Sequence, residues 1–231
     1  ITEYKFAKTV IRSRVKGVYS EINSLLAGSD DPELKEKYAE VSDRLPLIKE
    51  LADILYKNKK NRGCPELETS ESKLIINDED ICVGVERRTR GRSEEIIEDF
   101  MLVANECAAR FGMDNNLPFV YRIHEEPSDE KLESLREALV KLNVQYKLGE
   151  KACPGDMSEI LKAAKGTDID LIMNNIVLRS MSKARYSTEP VGHFGLALED
   201  YAHFTSPIRR YPDLTIHRIM SAFLSGSSAE E

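Results

Sequence analysis

The chain has 231 residues, 41% of them hydrophobic and 32% charged, with a formal net charge of −7. That length and apolar content suffice to bury a sizeable core, expected here as a single domain. No apolar run approaches the roughly 20 residues of a membrane span, and Cys64, Cys82, Cys107 and Cys153 lie too far apart for a zinc site or a disulfide framework, so reduced thiols and a cytoplasmic location are expected.

In chain order, Ser29-Asp30-Asp31-Pro32 is a helix-start signature. Beyond it Leu34, Tyr38, Val41, Leu45, Ile48, Ala52 and Leu55 recur in steps of four and three, which predicts one long helix kinked at Pro46. A basic run, Lys57 to Arg62, ends at Gly63. Lys73-Leu74-Ile75-Ile76 and Ile81 to Val85 then read as two strands about a turn at Asn77 to Asp80. After a charged loop, Ser93 is placed to cap a helix running from Glu94 to about Phe111, with Glu94 and Glu95 at the favourable end of the dipole. Its apolar residues fall nearly all round the axis, which predicts a buried helix. Glu98 and Asn105 on it therefore need partners, since a buried carboxylate is costly unless it pairs or binds something.

Three further helices follow: one capped by Ser128 with Leu132, Leu135, Leu139 and Leu142 on one face, one over 156–165 stopped by Gly166, and one over 168–182. A last helix runs from Pro212 to Leu224, ahead of a Ser/Gly/Glu tail over 225–231. The fold class expected is α+β, mainly helical with a small antiparallel sheet. Asp30-Asp31, Asp78-Glu79-Asp80 and Asp168-Ile169-Asp170 read as a helix start, a hairpin turn and another helix start, where Asp is favoured for local hydrogen bonding.

Charge is uneven along the chain. From Arg179 to Arg218 there are six Arg or Lys against four acids, a local +2 in a chain of −7, and three of the four histidines lie there. Within this stretch His203-Phe204-Thr205-Ser206-Pro207-Ile208-Arg209-Arg210-Tyr211-Pro212-Asp213 sets two guanidiniums beside a rigid Ser-Pro corner flanked by aromatics. Arg presents a planar fork of donors to phosphate oxygens, and Phe204 and Tyr211 offer faces for base stacking. A solvated arginine pair is the structural alternative. For His217 the expected role is an Asp213–His217 pair, four residues apart on a helix, that orients Arg210 or a backbone group.

These residues carry a resemblance. Leu178 to Tyr186, His193-Phe194-Gly195-Leu196-Ala197-Leu198 and Tyr201 to Arg218 closely resemble the catalytic RNB domain of the ribonuclease R and ribonuclease II family. Arg12 to Tyr19, Arg62-Gly63, Ile97 to Asn105 and Leu117 to Glu125 are similar to other blocks of it. The resemblance implies a magnesium-dependent hydrolase that degrades single-stranded RNA from its 3′ end, processively, to nucleoside 5′-monophosphates. It implies catalytic roles for Arg209, Glu98 and Tyr19, with Glu98 or its neighbour Asp99 positioning the RNA end. RNA contacts are implied for Arg210, Arg179, Arg185, Tyr186, His193, Phe204, Ser206 and Tyr211.

For Glu98 the residues themselves leave a second reading open, an internal pair with an arginine of the 203–213 segment. The family's aspartate cluster for metal does not occur here, so no residue is assigned as a metal ligand. The expectation is a partial RNB domain over 1–224, metal-binding part upstream, RNA-binding barrel downstream, boundary tail over 225–231, monomeric when intact. A non-catalytic RNA-binding scaffold descended from the nuclease is the alternative. The sequence departs from the family at Glu66-Leu67-Glu68, where an Asp-Phe-Asp-like triplet carries a base-clamping aromatic. Leu67 cannot stack comparably.

Overall fold

A computed structural model of the chain describes residues 1–67, 71–88 and 90–226. Helices α1 (Tyr19–Leu26), α2 (Pro32–Lys37) and α3 (Leu45–Asn61) precede a hairpin of β1 (Glu71–Ile76) and β2 (Cys82–Arg88). The long α4 (Arg92–Asp114) leads to β3 (Tyr121–Ile123), α5 (Asp129–Lys141), α6 (Pro154–Ala164) and α7 (Asp170–Ser180), and β4 (Arg185–Ser187) and α8 (Tyr211–Leu224) complete the order. The mainly helical α+β class holds, with two small antiparallel sheets, β1–β2 and β3–β4, where the sequence pattern showed one.

The one long helix expected over residues 34–55 is two helices. Asp31 caps α2 by accepting from Glu33 N at 2.9 Å with Pro32 in the first turn, and α2 ends at Lys37. A single 3-10 turn, Ser42–Arg44, intervenes before α3 begins. Pro46 sits in the first turn of α3, where its missing N–H has no helical partner to lose, so it starts a helix instead of kinking one. The β1–β2 hairpin pairs Leu74 with Val85 and Ile75 with Gly84. Its turn is closed by the Asn77 side chain, which accepts from Glu79 N and Ile81 N, with Asp80 at φ 58°.

Helix α4 starts two residues earlier than its Ser93 signal. Gly91 is the N-cap, and Glu94 reaches back to accept from Gly91 N at 3.1 Å. The Ser93 hydroxyl donates instead to Tyr19 O at 3.0 Å, tying α4 to α1. Nor is α4 buried all round: Ile97 and Met101 stand 42% and 38% exposed.

Two apolar cores result. Leu132, Leu135 and Leu139 of α5 pack with Met157 and Ile160 of α6, Met173 and Val177 of α7, and Phe194. Ala109 of α4, Phe119, Tyr121 and Ile123 around β3, Ala202, and Ile216 and Met220 of α8 form the second. This second core fixes the stretch after Tyr201 between α4 and α8. Gly112 in α4 lies directly against the ring of Phe119, which is 1% exposed. Gly112→Ala is expected to cost about 1–3 kcal/mol of overpacking despite the better helix propensity of Ala. Urea unfolding checks this, and an unchanged or raised midpoint would defeat it.

Candidate nucleic-acid interface

The arginine segment leaves regular structure at Tyr201 and re-enters it at α8, so its backbone N–H groups need partners from outside. Two buried side chains supply them. Asn105, on α4 and 3% exposed, accepts from Phe204 N at 2.9 Å and Thr205 N at 3.1 Å through Oδ1, while its Nδ2 donates to the Tyr201 hydroxyl at 3.1 Å. Asp213, on α8 and fully buried, accepts through Oδ1 from Ser206 N and from Arg210 Nη2, each at 2.8 Å. Ser206 O in turn accepts from the backbone of Arg209 and Arg210. Arg210 Nε and Asp213 Oδ2 are both buried without a hydrogen-bond partner.

The consequences for the two guanidiniums differ. Arg210 is drawn in, its side chain 20% exposed and ion-paired to Asp213. Arg209 projects outward beside Ile208, which is 97% exposed, and Tyr211, which is 71% exposed, and it has no ion pair among the described residues. Phe204 does not offer a free ring as expected. Its face stacks on His217 at 4.2 Å and 5°, and the edge contact with Phe6 at 5.5 Å holds it in the second core. His217 Nε2 donates to Phe204 O at 2.9 Å, so the expected Asp213–His217 pair is replaced by Asp213–Arg210. Ser206 takes part through its backbone.

Beside this segment runs a row of rings. The Tyr186 hydroxyl and His203 Nδ1 share a hydrogen bond of 2.8 Å, and Arg122 lies over the Tyr186 ring at 4.9 Å. His203 contacts Tyr201, Tyr201 contacts His193, and His193 contacts His124 at 4.9 Å. Burial pushes His203 down to about 4, helped by Arg210, and pushes His193 down to about 3, helped by His124. His124 holds one tautomer: Nε2 donates to Ser182 O at 2.7 Å and Nδ1 accepts from Gly195 N at 3.0 Å. His193 is therefore a neutral, half-buried ring with its Nδ1 buried and unpartnered, not a charged phosphate ligand. Arg185 pairs with Glu125 at 2.9 Å with both side chains 53% exposed, a contact weak enough to exchange for phosphate. Arg179 is exposed in the last turn of α7.

Glu98, Arg209 and Tyr19, to which the resemblance gives catalytic roles, share no hydrogen bond or ion pair among the described residues. Glu98 pairs with Arg90 at 3.1 Å and Lys59 at 3.5 Å, so the internal pair left open for it with an arginine of the 203–213 segment is not made. Adjacent residues on a helix point about 100° apart, and it is Asp99 that turns inward, 5% exposed. Burial raises the Asp99 carboxyl above its ordinary range, opposed by Lys59 with Nζ 3.9 Å away. Asp99 lines a cavity of about 240 Å³ with Lys59, Arg62, Glu106 and Arg110. Tyr19, 46% exposed, lines a different, apolar groove with Val18, Ile22, Ile48, Ile96 and Ile97. Leu67 packs against the α5–α7 core, and Glu68 lies outside the described residues.

Asp30 pairs with Lys35, Asp31 caps α2, and Asp170 accepts from Gly166 N and Asn174 Nδ2, the local bonding expected of acids at helix starts. Among the described residues no three His, Cys, Asp or Glu side chains form a group that could hold a metal ion. No helix among them is long and apolar enough to cross a membrane. Sequence reasoning flagged Asn105 as needing a partner but missed that its partners are backbone amides about a hundred residues away. It also missed Asp213 as the anchor of Arg210, though an Arg and an Asp three apart at a helix start carry that signal.

Comparison with known proteins places this geometry. The RNB domain matches residues 1–226. Ribonuclease R 1 of Lactococcus lactis is 37% identical over 232 residues, covering 99% of this chain and 28% of the relative. Ribonuclease R of Escherichia coli is 38% identical over 225 residues, covering 97% of this chain and 27% of the relative. The chain thus spans little more than a quarter of the length of these relatives. Among solved structures, Mycoplasma genitalium RNase R in complex with ribose-methylated single-stranded RNA superposes with a TM-score of 0.81 at 30% identity, over 89% of this chain and 32% of that one.

The half-buried His193 and His203 are expected to give the segment a pH dependence. A folded-state pKa below the unfolded value means that the unfolded chain binds more protons between the two, so stability is full above about 6.5 and is lost as pH falls toward the folded values of about 3 for His193 and about 4 for His203. His193→Phe is expected to flatten the loss of stability between pH 7 and pH 5, where each such histidine contributes up to about 1.4 kcal/mol per pH unit. Thermal melts across that range check it, and identical slopes in both proteins would refute it.

Proposed function

The chain belongs to the RNB-domain family, and from that premise we propose that it is part of a hydrolytic 3′-to-5′ exoribonuclease that degrades single-stranded RNA processively to nucleoside 5′-monophosphates. The observation that carries the reading is Arg209: an exposed guanidinium without an ion pair among the described residues, on a segment whose backbone is held by two buried side chains. A preorganised cation costs little reorganisation when charge develops on a phosphoryl group. Arg209 takes that role, while Arg210, its charge met by Asp213, fixes the turn that presents Arg209 rather than holding a neighbouring phosphate. Tyr186 and Tyr211, both exposed, are the rings left for base stacking once Phe204 is assigned to the core. Arg179 and Arg185 serve the RNA backbone at a distance from the reacting phosphate.

Asp99 rather than Glu98 carries the acidic role, because Asp99 faces a cavity and Glu98 is engaged by two surface cations. Magnesium belongs to the proposal for the intact protein only. Among the described residues no three His, Cys, Asp or Glu side chains form a group that could hold it. A cytoplasmic, monomeric intact enzyme completes the reading, supported by four free cysteines.

In the full-length protein, Arg209→Ala is expected to lower turnover on the order of 10²-fold with a much smaller change in RNA affinity. Arg209→Lys should rescue poorly, since an ammonium lacks the bidentate fork. Asp99→Asn should reduce turnover more than Glu98→Gln. Affinity falling in step with turnover would reduce Arg209 to a phosphate anchor. A full-length wild type that binds RNA and releases no mononucleotides would replace the enzyme by the RNA-binding scaffold.

A further inference from the structure

We propose that Asn105 is a positioning residue for Arg209: from helix α4 it holds the segment that carries the arginine in the geometry the reaction needs. The inference rests on the phosphoryl role given to Arg209 above, and on geometry independent of that role.

Asn105 is one of the few polar side chains buried in the core face of α4, and its side-chain hydrogen bonds go to the arginine segment or its start. Its Oδ1 takes two consecutive backbone N–H groups, Phe204 and Thr205, a two-pronged grip that fixes the chain direction just before the Ser206–Pro207 corner. Its Nδ2 donates to the Tyr201 hydroxyl, and Tyr201 is 7% exposed, so the start of the segment is held as well. Beyond the corner the grip passes to Asp213 through Ser206 N. Arg209 therefore stands four residues past the last Asn105 contact, on a short turn whose entry Asn105 holds and whose exit Asp213 holds. Misplacement of about 1 Å can cost on the order of 10² in rate.

Asn suits the position because it accepts and donates without charge. Ala leaves two amides and a tyrosine hydroxyl without their partner in a site water reaches poorly. Asp retains the acceptor for both amides, and the Tyr201 hydroxyl can turn its proton to the second carboxylate oxygen, so Asp is the conservative variant despite its buried charge.

The test uses the full-length protein with two readouts, amide hydrogen exchange at residues 204–205 and steady-state hydrolysis of single-stranded RNA. Asn105→Ala is expected to speed exchange of the Phe204 and Thr205 amides by tenfold or more. It should lower kcat by tenfold or more while KM stays within about threefold, as for loss of an interaction expressed mainly in the transition state. Asn105→Asp should keep most of the exchange protection and recover kcat to within about threefold of wild type. Leu135→Ala, a cavity in the separate α5–α7 core, controls for plain destabilisation: it should lower the melting temperature at least as much while leaving kcat unchanged below the melt. Unchanged exchange at 204–205 in Asn105→Ala overturns the grip itself. Faster exchange with unchanged kcat overturns its link to the reaction, and so does a kcat loss matched by Leu135→Ala. If Asn105→Ala does not fold, loss of both protection and kcat in folded Asn105→Asp overturns the inference. A wild type without hydrolytic activity defeats the proposed function, and the exchange result then decides the grip alone.

Discussion

Backbone amides that leave helix and sheet must still find acceptors, and in residues 204–206 they find carboxamide and carboxylate oxygens instead of other backbone. Everything at the candidate interface follows from that exchange. Asn105 and Asp213 can serve because α4 and α8 pack through the second core, with Ala109, Ala202 and Ile216 each 0% exposed. The apolar contacts set the distance between the two helices, and the polar pair uses that distance to suspend a turn between them. Arg209 is presented to solvent because its neighbours are fixed from behind.

Electrostatics sharpen the presentation. Asp213 neutralises Arg210 at 2.8 Å, and burial keeps His193 and His203 neutral, so of the charge the sequence concentrates in this stretch, much is spent internally. The net +2 from Arg179 to Arg218 is a poor guide to what a phosphate would meet. What it would meet is Arg209 without a competing acid, Arg179, and an Arg185 whose exposed partner Glu125 holds it weakly. Under the proposed function, placement and not total charge is what would present a cation to a polyanion.

Much of the fold was legible because local chemistry decides it. Asp31-Pro32 caps α2, Asn77 closes the hairpin, Gly166 follows the end of α6, and the 3.6-residue spacing of Leu132, Leu135 and Leu139 marks the buried face of α5. The failures share a cause. β3 and β4 have three residues each, too few for alternation to register, and they exist because Tyr121 and Ile123 are buried in the second core. Pro46 was read as a kink because apolar spacing continues through it, but spacing reports a face and not a continuous ladder of hydrogen bonds. Apolar residues nearly all round α4 likewise predicted burial, yet Ile97 and Met101 are open: the pattern records which side chains avoid water and not what covers them.

The site was legible in kind and not in address. Sequence chemistry selected the arginine pair and the acidic stretch of α4, and resemblance joined Glu98 to Arg209, but one residue on a helix is a turn of about 100°. That angle sends Glu98 to Lys59 and Arg90 and Asp99 inward. An acid with two cations within 3.5 Å has little reason to leave them, whereas an acid buried with one ammonium 3.9 Å away carries an unrelieved cost of charge, visible in its raised pKa. Such a cost is retained when the group does something that a neutral residue of the same size would not do. Of the polar side chains deeply buried in α4, Ser93 and Asn105 have hydrogen bonds that account for their burial, and Asp99 has contacts that do not. Asn105 belongs to the architecture of the arginine segment, and Asp99 is the position to which the proposed function gives the acidic role.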